Sequence, residues 1–149
     1  MKCVIQRVKQ ASVTIQDTLY SEIQTGLLVY LGLTHNDTLQ GGQKAWQKIL
    51  KLRCFEDENQ KLNHSLEDIQ GDLLIVSQFT LYANCNKGRR PSFENALPSK
   101  KAEPLYNGLI NDLRSIYPNV KTGQFGAMMN IHSINDGPHR AQGPGIYDA

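Results

Sequence analysis

Hydrophobic and polar positions alternate over residues 2–8, "KCVIQRV", and again over 11–15, "ASVTI". Both stretches are β-branched, and the period of two predicts two strands or one kinked strand. Residues 26–33, "GLLVYLGL", form a continuous apolar run of buried-strand length. Polar "THNDT" follows at 34–38, with Asp37 or Thr38 placed to cap a helix. Ala45, Trp46, Ile49 and Leu50 then recur at helical spacing, which predicts a helix over about 39–52. "FEDENQKLNHS", 55–65, reads as a polar loop, and a strand is expected at about 72–82. Ala102, Leu105, Tyr106, Leu109, Leu113, Ile116 and Tyr117 mark a second helix, with Pro104 in its first turn and Pro118 ending it. A last alternating segment, 126–134, reads as a strand. Clean βαβ alternation is lacking, so the pattern predicts one α+β domain with largely antiparallel, barrel-like sheet and two main helices.

The 149 residues suffice for a domain that buries about two-thirds of its unfolded surface. The hydrophobic share of 40% is that of an ordinary globular chain, and a net charge of +2 implies no strong overall attraction to nucleic acid. A basic binding face would have to be local, and "KGRRP" at 87–91 is the one compact basic cluster. Its Lys87, Arg89 and Arg90 suit either solvated surface or a phosphate backbone. "MKCVIQRV" has no signal-peptide pattern, and no apolar run approaches the ~18 residues of a membrane span. A cytoplasmic location without membrane contact is the expectation.

Metal and nucleophile chemistry find little support. His35, His64, His132 and His139 lack ligand spacing, and Cys3, Cys54 and Cys85 form no CxxC pair. There is no GxSxG, and "THNDTLQGGQKAW" lacks the spacing of a phosphate-binding loop. No cofactor and no metal are expected. What remains is neutral. In "IVSQFTLY", 75–82, an extended strand would put Gln78, Thr80 and Tyr82 on one face and Ser77, Phe79 and Leu81 on the other. Taken alone, such groups satisfy nearby backbone. "NDGP", 135–138, reads as a turn, or as a place where Gly137–Pro138 is held cis.

Together and in this order, "MKCVIQRVKQASVTI", "GLLVYLGL", the stretch from "KILKLRCF" to "GRRPSF", "TGQFGAMMNI" and "NDGP" resemble the D-aminoacyl-tRNA deacylase family. The resemblance covers residues 1–138, and Ser77-Gln78-Phe79-Thr80-Leu81 followed by NDGP is its most specific part. It implies a homodimer that hydrolyses the ester between a D-amino acid and the 3′-terminal adenosine of tRNA, and that removes glycine mischarged on tRNA(Ala). Ser77, Gln78 and Thr80 would bind and polarise the ester, with the neighbouring ribose hydroxyl helping to activate water. Thr80 as nucleophile is the alternative. Gly137–Pro138, fixed by Arg7, would enter the partner's pocket as a Gly-cisPro element and exclude L side chains. Phe79, Leu81, Phe125, Ala127 and Met129 would line the substrate pocket, although core packing explains the last three equally. Lys87, Arg89 and Arg90 would meet tRNA phosphates. After Pro138 the chain departs from the family, and "HRAQGPG" argues against a regular last strand. That departure leaves open relaxed chirality, with L-alanine on a wrong tRNA as substrate. A non-catalytic RNA-binding module is the remaining alternative.

Overall fold

The computed structural model describes residues 1–86, 88–137 and, as backbone, 145–148. Its organising element is β1, a single strand from Lys2 to Ile15. The first half of β1 pairs antiparallel with β3 (Gly26–Gly32), and the second half with β2 (Thr18–Ile23). Cys3 and Ile5 face one core, whereas Val8, Ala11 and Val13 all face another. Val8 and Ala11 have opposite parity, and a register shift between Val8 and Gln10 reconciles them. One extra residue at a bulge reverses which face points inward. The two expected stretches are therefore one kinked strand.

β3 continues into helix α1 (Leu39–Leu50), whose N-cap is Thr38. A hairpin, β4 (Phe55–Glu56) and β5 (Leu62–His64), and a one-turn helix α2 (Leu66–Ile69) follow. Residues 55–65 are thus not the featureless loop expected from their polarity. Asp57 explains why: its carboxylate takes the amides of Asn59 and Lys61, so polar side chains close the hairpin. β6 (Asp72–Ser77) returns parallel to β3, and after α3 (Ser99–Ile116) the chain adds β7 (Val120–Thr122) parallel to β6. Parallel neighbours require long crossovers, and α1 and α3 supply them. Clean βαβ alternation is absent, as expected for an α+β chain, although α3 completes one such unit between β6 and β7. α3 begins earlier than its apolar stripe suggests, so Pro104 lies in its second turn, where its missing N–H removes one helix bond.

β8 (Asn130–Asn135) pairs with the second half of β1, and β9 (Gly145–Asp148) with the first half. The expectation of no regular strand over 139–145 falls almost wholly outside the described residues; past it, a main-chain ladder pairs 145–148 with Lys2–Ile5. β8 begins later than expected, since the chain turns over 124–127 around Gly126, whose φ is +73°. Strands β2 and β7 were not foreseen. They meet where Ser21 Oγ donates to the Thr122 carbonyl at 2.8 Å, nearly closing a barrel.

β3 and the centre of β6, 73–76, are continuous apolar runs because both their faces are covered. Leu27, Val29, Leu73 and Ile75 pack beneath α1 and α3, while Leu28, Leu74 and Val76 fill the barrel. Trp46 is fully buried and donates its indole N–H to the Leu109 carbonyl at 3.0 Å, fastening α1 to α3.

Candidate active site

β6 stops at Ser77, and Phe79–Tyr82 coil into a single 3-10 turn. The alternation expected for Gln78, Thr80 and Tyr82 is therefore corrected: a turn of three residues per cycle, not a pleat, arranges these side chains. Gly32 makes the turn possible. A Cβ there would lie 3.0 Å from both the Gln78 carbonyl oxygen and Leu81 Cβ, so glycine lets the turn close over the end of β3 without displacing it by a few tenths of an ångström. The Gln78 amide donates to the Leu31 carbonyl at 2.8 Å, and the Ala83 amide to the Thr80 carbonyl at 3.0 Å.

The turn presents neutral polar groups to the surface. The Gln78 amide group donates through Nε2 to Thr80 Oγ1, and Thr80 is exposed. A hydroxyl that accepts this bond keeps its own proton for another acceptor. Ser77 and Leu81 are half-buried beside them. Phe79 is 57% exposed and meets Phe93 edge-on, with ring centroids 5.1 Å apart. Phe93 was missed in the sequence. Its signal was its place directly after the basic loop, in "RRPSF". Lys2 Nζ sits 5.0 Å from the centre of the Tyr82 ring, the cation of the first strand over the last residue of the turn.

The loop after the turn is pinned at its base by two bonds between Asn84 and Ser92, at 2.8 and 3.0 Å. Arg89 and Arg90 are exposed at its tip, and Lys87 lies outside the described residues. The structure thus brings two of the three basic residues into the segment bordering the turn. The half-buried Phe125 packs on Tyr106, at 5.4 Å between ring centres, and Tyr106 in turn donates to the Ile75 carbonyl at 3.3 Å. Met129 joins the barrel core, and Ala127 is half-buried in the turn before β8. Their contacts among the described residues are those of packing.

Arg7 and Gly137 lie elsewhere. Arg7 is mostly buried, donates from Nε to the Asp136 carbonyl at 3.0 Å, and donates from a terminal nitrogen to the Cys54 carbonyl at 2.8 Å. Beside it opens a cavity of about 530 Å³, bordered by Thr25, Phe55, Glu56, Asp72 and Asp136. Burial pushes the nearby Cys54 thiol up, partly offset by the Arg7 charge. Pro138 lies outside the described residues. The register fixes the distance between the two motifs. Ser77 pairs with Leu31, which pairs with Cys3, whereas Asn135 pairs with Val8, which pairs with Gly26. Five residues of strand, roughly 17 Å, separate these two rows within one chain.

A family model described as D-Tyr-tRNA(Tyr) deacylase matches residues 4–142. A protein of Petrotoga mobilis named D-aminoacyl-tRNA deacylase is 48% identical over 139 residues, 93% of each chain. The protein of the same name from Acinetobacter baylyi is 49% identical over 138 residues, 93% of this chain and 94% of its own. The chain belongs to the D-aminoacyl-tRNA deacylase family, a family of ester hydrolases. A solved structure titled "c-Myc DNA Unwinding Element Binding Protein" superposes with a TM-score of 0.88 at 44% identity, covering 93% of this chain and 95% of its own. A structure of a probable eukaryotic D-amino acid tRNA deacylase shares the fold, with a TM-score of 0.82 at 18% identity, over 99% of this chain and 98% of its own. Family membership thus agrees with the resemblance drawn from the SQFTL and NDGP stretches.

Proposed function

We propose that this protein hydrolyses the ester of D-aminoacyl-tRNA, releasing the D-amino acid and tRNA, and that it also clears glycine from mischarged tRNA(Ala). The observation that carries this reading is the uncharged, surface-facing pair of Gln78 and Thr80 at the end of β6 in a chain of this family. An aminoacyl ester is already reactive, so positioning and stabilisation of the oxyanion are what the protein must supply. Thr80, with its proton left over from the Gln78 bond, suits donation to the carbonyl oxygen. Ser77 and the amides of the turn suit the adenosine end. The neighbouring ribose hydroxyl helps activate the attacking water, and the released ribose oxygen takes up the proton. Phe79, Leu81, Phe125, Ala127 and Met129 are the proposed pocket wall, and Lys87, Arg89 and Arg90 the proposed phosphate contacts. The protein works without a cofactor, in the cytoplasm.

Chirality is selected by exclusion. Carbonyls of Gly137–Pro138, held cis, face the substrate α-carbon, where an L side chain collides and a D side chain or glycine does not. The ~17 Å between the two motifs along the strands supports a homodimer in which each copy lends this element to the other's pocket. The test is hydrolysis of D-Tyr-tRNA and L-Tyr-tRNA by purified protein. Rapid loss of the D-ester alone is expected, and two intact esters would refute the assignment.

A relative named for binding a DNA element, together with the exposed Arg89 and Arg90, supports nucleic-acid binding without turnover as a second reading. Equal affinity for charged and uncharged tRNA, with no ester hydrolysis, would favour it.

A further inference from the structure

Asp136, the residue before Gly137, is held to Arg7 through three of its own groups. Its main-chain N–H donates to the Arg7 carbonyl at 2.8 Å. Its carbonyl accepts from Arg7 Nε at 3.0 Å, and its carboxylate Oδ2 lies 3.2 Å from the same nitrogen. Arg7 is itself gripped from the far side, by the Cys54 carbonyl at 2.8 Å and the Glu56 carboxylate at 3.9 Å. One guanidinium thus joins β1, the entrance to the β4–β5 hairpin and the residue that leads from β8 into Gly137. With its side chain 11% exposed, it is largely shielded from competing water.

Glycine has the widest backbone freedom of any residue, so Gly137 cannot by itself aim its carbonyl. The aim must come from what precedes it. Main-chain bonds alone would fix a strand end. The carboxylate adds an ion pair at 3.2 Å, which opposes rotation of the residue and places a negative charge beside the largely shielded guanidinium. We infer that Asp136 is a positioning residue for chiral discrimination: clamped to Arg7 and through it to the hairpin, it sets the direction in which the Gly137 turn projects. This inference rests on the reading of Gly137–Pro138 as the excluding element. Lys9, whose Nζ is 3.9 Å from the other carboxylate oxygen, is 66% exposed and contributes little.

The experiment compares single-turnover hydrolysis of D-Tyr-tRNA and L-Tyr-tRNA by wild type, Asp136→Asn, Asp136→Ala and Lys9→Ala, with Tm for each. In Asp136→Asn the main-chain bonds remain and the charge is gone. The ratio of D to L rates is then expected to fall by on the order of tenfold, through a faster L reaction, as the loss of one partly buried ion pair implies. Lys9→Ala should keep the wild-type ratio within about twofold. An unchanged ratio in Asp136→Asn, with both rates intact or both lowered by one factor, would overturn the inference, since a merely structural role moves both alike. Should Asp136→Ala fail to fold, the Asn variant decides. Wild type that fails to discriminate would instead bring down the reading of Gly137–Pro138 itself.

Discussion

Thr80 and Gln78 share one hydrogen bond, so neither acts alone. Removing the hydroxyl in Thr80→Ala should slow hydrolysis of a D-ester by about ten- to a hundredfold, within or below the range for loss of one oxyanion donor. Because the two side chains are coupled, Gln78→Ala with Thr80→Ala should cost less than the product of the single effects. Rates that multiply would separate the two roles. Complete inactivation of Thr80→Ala with a trappable acyl adduct on the wild type would identify Thr80 as a nucleophile instead. The cysteines differ by burial in the same local way. Cys85 is exposed, while burial pushes the Cys3 thiol up to about 12 from 9.0. Near pH 8, alkylation should mark Cys85 first and Cys3 only on unfolding. The raised Cys3 value also has a sign for stability. The fold favours the thiol over the thiolate, so this contribution is complete below the unfolded value near 9 and is lost as pH rises towards 12. Burial raises Tyr106 in the same direction. Urea melts should therefore weaken progressively above about pH 9, with the thiolate and phenolate absorbances rising over the same interval.

Among the elements, the 3-10 turn was the least legible in the sequence. "SQFTLY" is compatible with a strand by residue type. What bends it is the Gln78 amide bond to Leu31 and the space left by Gly32, neither of which has a local signature. Gly32→Ala should push the turn away from β3, and D-ester hydrolysis should suffer more than Tm does. Gly26 is the contrasting case: a Cβ there would lie 1.9 Å from the Asp72 carbonyl oxygen, backbone against backbone. Gly26→Ala is expected to destabilise the whole sheet by about 2 kcal/mol or more, measurable as a lower urea midpoint. Ser65 and Asp68 form a reciprocal capping box on α2, and bonds from the Ser65 amide and hydroxyl hold the Asp68 carboxyl below its usual range. Ser65→Ala should cost about 1 kcal/mol in the same measurement. The Asp68 contribution is present above the unfolded carboxyl value and fades as pH falls through the lowered one.

For the molecule as a whole, separation is the telling quantity. SQFTL and the Gly137 end of β8 lie at opposite ends of one sheet, about five strand residues apart. If each pocket takes Gly137–Pro138 from the other copy, mixing a Thr80→Ala, Gln78→Ala protein with a Pro138→Ala protein should restore selective hydrolysis in the mixed dimer. One of its two pockets then has both intact parts. No recovery after subunit exchange would argue that both parts act within one chain. The strand and helix positions of the core, a cap at Asp37 or Thr38 and the basic loop could all be read from residue order, because period, capping and charge are local properties of a chain. The SQFTL and NDGP stretches pointed to the family by the same linear logic. Where β1 bulges, that β3, β6 and β7 run parallel, that a polar stretch closes as a hairpin, and that Arg7 grips Asp136 across 129 residues all depend on groups distant in sequence. Those contacts exist only once the sheet has curled, since register and burial set them and no short window of residues contains both partners.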